Sequence, residues 1–395
     1  MKTENLYKEN KECCGCSMCA SACPNNIIQM KPDKTGFLYP FIINEAKCLD
    51  CGKCLAVCPI KNNGNKKTDF IEFYAASYKK NKDTISCSSG GLATAISSAF
   101  IRKGGIVYGV AYSENYKEVI YCRIDKEEEL VKLKGSKYVQ ADKRFIYKNV
   151  SVDLNKGNRC LFIGLPCDVA AVVDYFKDNK NLYTVELVCH GPTSVYVQEQ
   201  YCDALKKKYG DTIKFFTNRY KKNGKWKPFY NYVEFENGKI FMEQFHKSSF
   251  GSAFRYLKRP SCYVCPFKDD TLLGDLMIGD YHYVEQGMDG YNPHGVSSAM
   301  VHNSKGSELL SIVRKDVDMV EIPKRNALAN AAIHHPISAP KGTAKYKQVF
   351  LKSGLNRANR MLLVYKSNFK RSCKSNIMVI AVKLKRFLFP KSRPQ

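Results

Sequence analysis

CCGCSMCASACP (residues 13–24) and CLDCGKCLAVCP (residues 48–59) share one cysteine spacing, C-x2-C-x2-C-x3-C-P. A cubane iron–sulfur cluster takes four thiolates. A C-x2-C-x2-C loop wraps three of them onto one cluster, and the fourth comes from the other run. The expected ligand sets are Cys13, Cys16, Cys19 and Cys58 for one [4Fe–4S] cluster, and Cys48, Cys51, Cys54 and Cys23 for the other. The proline after each crossing cysteine turns the chain away. A disulfide framework needs an oxidising compartment, and no secretory signal pattern precedes the runs. Zinc favours two short Cys pairs over two four-Cys runs. Cys14 reads as a spare thiol beside the first ligand.

This is the spacing of bacterial two-cluster ferredoxins, so electron transfer frames everything else. The chain has 395 residues, enough for two or three domains. It carries 18 cysteines, read as reduced and cytoplasmic, and its longest apolar runs are too short to span a bilayer. The net charge of +26 is partly local: residues 341–395 hold 15 Lys plus Arg and no acid. Three partners compete for that charge. An anionic membrane surface suits the mix with Met361-Leu362-Leu363-Val364 and Phe387-Leu388-Phe389, which implies a peripheral location. An acidic protein partner or a solvated tail is the blander reading. Nucleic acid lacks any supporting motif.

The expected organisation is a ferredoxin unit over 1–62, a polar linker over 63–69, a core in two parts (70–150 and 151–340) and a basic, mainly helical tail over 341–395. Strand-like runs at Phe73–Tyr78, Gly105–Tyr112, Val119–Ile124, Arg159–Gly164 and Leu182–Val188 alternate with helical ones at Gly91–Arg102, Glu127–Leu133, Asp168–Phe176 and Val195–Lys208. That alternation predicts an α/β (mixed α+β) core. Asn237-Gly238 between two apolar runs predicts a hairpin. Val296–Val301 predicts a last strand before a helix from Ser304.

Four later cysteines fall at turns. Cys167 and Cys189 each follow a predicted strand, where open α/β sheets place ligands. Cys262 and Cys265 form a C-x2-C beside two prolines. Four converging thiolates would bind a third [4Fe–4S] cluster or a zinc ion. Each cysteine alone reads equally as a small buried hydrophobe. Ser88-Ser89-Gly90-Gly91 opens a helix, so it is either a phosphate cradle or a simple cap. Gly135-Ser136-Lys137-Tyr138 is a second Gly/Lys/Ser element.

Together SSGG (88–91), GSKYVQ (135–140), LFIGLPCDVAAV (161–172), VCHGPTS (188–194), RPSCYVCPFKDD (259–270) and GDLMIGDYH (274–282) resemble the family of beta subunits of coenzyme F-420 hydrogenase and dehydrogenase, joined here to the ferredoxin unit. The resemblance covers about residues 1–340. It implies a flavoprotein core binding FAD, with Ser88, Ser89, Gly90, Gly91, Gly135, Ser136, Lys137 and Tyr138 at the flavin. It also implies a third cluster on Cys167, Cys189, Cys262 and Cys265. Asp275 and Asp280 match the family's acidic segment, with a structural role in bonding loop amides. The implied activity is passage of electrons between the clusters and FAD, to reduce or oxidise an organic acceptor. A deazaflavin coenzyme and a polysaccharide-pathway intermediate are both open as that acceptor. The alternative is a non-catalytic subunit relaying electrons to a redox partner protein. Tyr138, His190 and His282 are candidate proton donors that read first as structural residues, so no catalytic acid is assigned.

Overall fold

The computed structural model describes residues 2–62, 69–143, 145–177, 179–268 and 273–362. Most of the linker and the tail beyond 362 lie outside the described residues.

Two short strands, β1 (Ile28–Pro32) and β2 (Leu38–Ile42), form an antiparallel hairpin in the N-terminal unit. The main body is one mixed sheet of eight strands. These are β3 (Glu72–Tyr78), β4 (Ile106–Tyr112), β5 (Val119–Ile124), β6 (Cys160–Gly164), β7 (Leu182–Leu187), β11 (Leu276–Asp280), β12 (Ser297–Val301) and β13 (Val317–Glu321), in the order β13-β3-β12-β11-β7-β6-β4-β5. β4, β6, β7 and β11 run parallel at its centre, and the remaining pairings are antiparallel. Strands from both expected parts of the core are thus woven into one sheet. A smaller antiparallel sheet holds β8 (Ile213–Tyr220), β9 (Tyr230–Phe235) and β10 (Ile240–Gln244). β9 and β10 form the hairpin across Asn237-Gly238, and Gly238 supplies the positive φ that such a turn needs.

The central strands are apolar on both faces because helices cover both. Leu161 and Ile163 of β6 pack with the helices Leu92–Arg102 and Ser304–Ser311. Cys160 and Phe162, on the opposite face, pack with Ile146–Asn155 and Pro166–Phe176. This second core also takes in Met18, Phe37 and Tyr39 of the ferredoxin-type unit and Tyr346, Phe350, Leu355, Ala358 and Leu362 of the helix over 343–362. The last described helix is therefore built into the body. Glu127–Leu133, expected to be helical, forms a tighter 3-10 helix.

Candidate functional site

The two cysteine runs fold onto each other. Cys13, Cys16 and Cys19 line a small cavity with Cys58, and Cys54 reaches its edge. Cys48, Cys51 and Cys54 line a second with Cys23. Gly15, with φ +71°, lets the first loop turn under the body. An added Cβ there would sit 2.2 Å from Gln140 Nε2.

A cavity of about 350 Å³ opens where the parallel strands end. β6 delivers Cys167, β7 delivers Cys189 and His190, and β11 delivers Asp280 and His282. Cys262 and Cys265 enter from the loop after the helix Ser249–Tyr256. Ser88, Ser89, Gly91, Gly135, Ser136, Lys137 and Tyr138 line the same cavity. Eleven of the twelve residues expected at a flavin and a third cluster thus share one space. Gly90 does not: a Cβ there would lie 2.3 Å from the Ala76 carbonyl oxygen, so the glycine serves close packing against β3. Asp275 also stays outside. Its carboxylate accepts from Thr184 N–H (2.7 Å), Thr184 Oγ1 (2.9 Å) and Asn303 Nδ2 (2.9 Å), a structural clamp.

At one end of the cavity, Gly91 (φ +83°) caps the helix Leu92–Arg102 without any side-chain cap. First-turn N–H groups left uncapped in this way suit an anion such as a phosphate. Ser136 Oγ donates to Ser88 Oγ at 2.9 Å, joining the two glycine-bearing segments. β8 and the loop after it brace them from behind. Arg219 Nη2 (2.9 Å) and Trp226 Nε1 (3.2 Å) donate to the Ser88 carbonyl, and Lys221 Nζ (2.8 Å) to that of Ser89. Arg219 also reaches Tyr138 Oη (3.1 Å) and Asp280 Oδ2 (3.0 Å), while its buried Nε has no hydrogen-bond partner among the described residues. Burial lowers Lys221 to about 8 and Lys137 to about 7. Lys137 is held by the carbonyls of Lys132, Lys134 and Gly135.

At the other end, burial and the neighbouring Cys189 and Cys167 thiols push Cys262 up, and burial pushes Cys265 up to about 12. Contact with Cys14, together with burial, holds Cys167 high. Such thiols keep their protons unless a metal takes the protons' place. Lys258 Nζ donates to the Gly191 carbonyl (2.6 Å) and Lys268 Nζ to that of Cys189 (2.6 Å), so buried cations stand beside the thiols. Burial and these two lysines lower His190 to about 4, which leaves a neutral imidazole there. Among the described residues, no group of three or more His, Cys, Asp or Glu converges on a single ion. The donor set suits a body whose corners each take one thiolate. The chemistry of the lining thus fits an anionic cluster at one end and a phosphate-bearing cofactor at the other.

Sequence reasoning missed several of these residues. Arg219 lies on a strand that the apolar pattern does not reveal, and Lys221 directly follows it. Arg259 and Lys268 sit inside a quoted motif whose cysteines draw the attention. Cys14, read from the sequence as a spare thiol, lines both the first small cavity and the large one.

Residues 157–325 match the family described as the C terminus of the coenzyme F420 hydrogenase/dehydrogenase beta subunit. Residues 12–62 match the 4Fe-4S dicluster domain. Over residues 157–325 the chain belongs to the family of coenzyme F420 hydrogenase/dehydrogenase beta subunits. One subunit of the F(420)H(2) dehydrogenase of Methanosarcina mazei is 20% identical over 331 residues, covering 79% of this family member and 85% of the M. mazei protein. The coenzyme F420-dependent sulfite reductase of Methanocaldococcus jannaschii is 23% identical over 343 residues, covering 82% of this chain but only 50% of the reductase. A chain of the F420-reducing [NiFe] hydrogenase complex from Methanosarcina barkeri aligns over 76% of this chain and 94% of its own length, at 16% identity and a TM-score of 0.44. This member of the family is a mixed α/β protein with an N-terminal 4Fe–4S domain of ferredoxin type. No helix among its described residues is long and apolar enough to cross a membrane.

Proposed function

We propose that the chain is an iron–sulfur flavoprotein oxidoreductase that passes electrons between [4Fe–4S] clusters and FAD and exchanges them with an organic acceptor. The observation that carries this reading is the shared cavity. Ser88, Ser89, Gly91 and Gly135–Tyr138 line it with Cys167, Cys189, Cys262 and Cys265, and Cys14 of the ferredoxin-type unit forms part of its wall. Cys13, Cys16, Cys19 and Cys58 would hold one N-terminal cluster, and Cys48, Cys51, Cys54 and Cys23 the other. The four later cysteines would hold a third.

FAD, when bound, interconverts single electrons and hydride pairs. The helix start at Gly91 and the serines Ser88 and Ser136 would bind its phosphates. Arg219, braced by Asp280, offers its free Nε to an anionic group in the cavity. Lys137, with its charge lowered by burial, can give or take a proton near neutral pH. His282 stacks on Trp226, with ring centroids 5.5 Å apart, and stands at the cavity wall.

The names of both curated relatives refer to coenzyme F420, which supports a deazaflavin as the acceptor. The M. mazei relative is one part of a larger dehydrogenase, and its likeness supports a partner redox protein at the other end of the electron path. Iron and flavin analysis of anaerobically purified chain tests the proposal. The expected content is about twelve irons and one FAD per chain, from three four-iron clusters. About eight irons and no flavin would overturn the assignment of the large cavity.

A further inference from the structure

Arg259 is a buried cation where the N-terminal unit meets the body. Arg259 is 1% exposed and heads the bulkiest fully buried side chains. Its Nε donates to the Cys13 carbonyl at 2.8 Å, its Nη1 to Gln140 Oε1 at 3.0 Å, and its Nη2 lies 3.6 Å from Cys13 Sγ. The guanidinium stacks over Tyr39, 4.1 Å from the ring centroid. Its described hydrogen-bond and ion-pair partners include no carboxylate. A buried cation without an anion costs several kcal/mol. Folding therefore keeps this charge at a loss unless Cys13 becomes a thiolate.

The other N-terminal site is built differently. Cys51 is exposed, and Cys48 Sγ lies 3.7 Å from Asp50 Oδ1, a negative neighbour. Cluster potentials rise with positive charge and with N–H···S bonds, and they respond to solvent exposure. Burial works against adding an electron to an anionic centre, so the inner site would otherwise hold the lower potential of the two. Arg259 opposes that effect at the inner site only. Its backbone leads directly inward, since its carbonyl accepts the Cys262 N–H at 3.0 Å.

We propose that Arg259 raises the reduction potential of the inner N-terminal cluster, held by Cys13, above that of the outer one, so that electrons entering at Cys51 run inward. This rests on the reading that the two cysteine runs hold two clusters. The step is a transfer of one electron: the outer cluster is oxidised and the inner one reduced, with no proton moved. A low-potential one-electron donor protein re-reduces the outer cluster.

The test is an EPR-monitored redox titration of the full, cluster-loaded chain, with the outer signal assigned by Cys51→Ser. Arg259→Gln should shift the inner potential negative, leave the outer one in place and reverse their order of reduction. Arg259→Lys, which keeps the charge, should restore part of the shift. Gln140→Glu is nearly isosteric and pairs with the guanidinium. It should move the inner potential in the same direction, and it carries the test should Arg259→Gln fail to fold. Unmoved potentials in iron-replete Gln140→Glu and in any folded Arg259→Gln would overturn the role of Arg259 alone. Wild-type chain that loads no iron on these runs would overturn the underlying cluster assignment instead.

Discussion

Replacing Lys143 by methionine should cost about 4 kcal/mol of stability at pH 7, and the cost should depend on pH. Lys143 Nζ lies 3.0 Å from Asp168 Oδ1, with both side chains almost wholly buried. Asp168 directly follows Cys167 and, among the described residues, also accepts from the Tyr121 hydroxyl, at 3.2 Å, and from the Cys167 thiol, at 3.9 Å. Removing one partner of a buried pair costs about 3–5 kcal/mol. A ceiling comes from letting the orphaned carboxyl take a proton, which for an ordinary aspartate at pH 7 costs roughly 4 kcal/mol. The folded variant then holds a proton that its unfolded chain lacks, so its stability falls as pH rises. The defect should accordingly shrink by about 1.4 kcal/mol per unit as pH drops from 7 toward 5. Asp168→Asn should cost less, because Lys143 keeps the Gly15 (3.4 Å) and Ala141 (3.3 Å) carbonyls. The double variant should recover part of the Lys143→Met loss. Urea unfolding followed by far-UV circular dichroism, under anaerobic conditions at several pH values, measures all three. A pH-independent defect below about 1 kcal/mol would refute the buried pair.

Other perturbations read different parts of the site. Gly15→Ala needs a strained φ and drives a methyl into Gln140 and Arg259, so the N-terminal unit should loosen and become cleavable by protease before the body does. Cys262→Ala should lose about four irons, and with them flavin reduction from the N-terminal side, while the two N-terminal EPR signals persist. In cofactor-free protein, Lys137 is held near 7 while the unfolded chain titrates near the usual lysine value, about 10.4. The unfolded chain binds more protons between those values, so stability should rise with pH across that window. Lys137→Met should flatten the rise in urea midpoint between roughly pH 7 and 9.

The sequence disclosed those elements whose residues announce themselves locally. Phe73–Tyr78 and Leu182–Val188 are dense apolar runs, and Asn237-Gly238 dictates a turn. β11 was hidden because Leu276–Asp280 is short, bears a glycine and sits inside a motif read for its acids. β8 was hidden because its partly exposed faces blur the period-two pattern. With β8 went Arg219, whose bond to Ser88 spans 131 positions of sequence. The cysteines and glycines of the site were legible because turns and thiolate loops restrict residue type. The cations around them were not, because a lysine or arginine gains its meaning only from what the fold buries beside it. Gly90 shows the converse, a motif residue whose task is packing.

Cys14 has a consequence for any exchange of the N-terminal unit. Its side of the N-terminal loop closes the large cavity, so the attached unit is a wall as well as a wire. A foreign ferredoxin grafted in its place would leave that side open to dioxygen, which drains electrons from reduced redox centres. Residues 13–16, Gln140 and Arg259 therefore form a joint in which no single part can be exchanged alone.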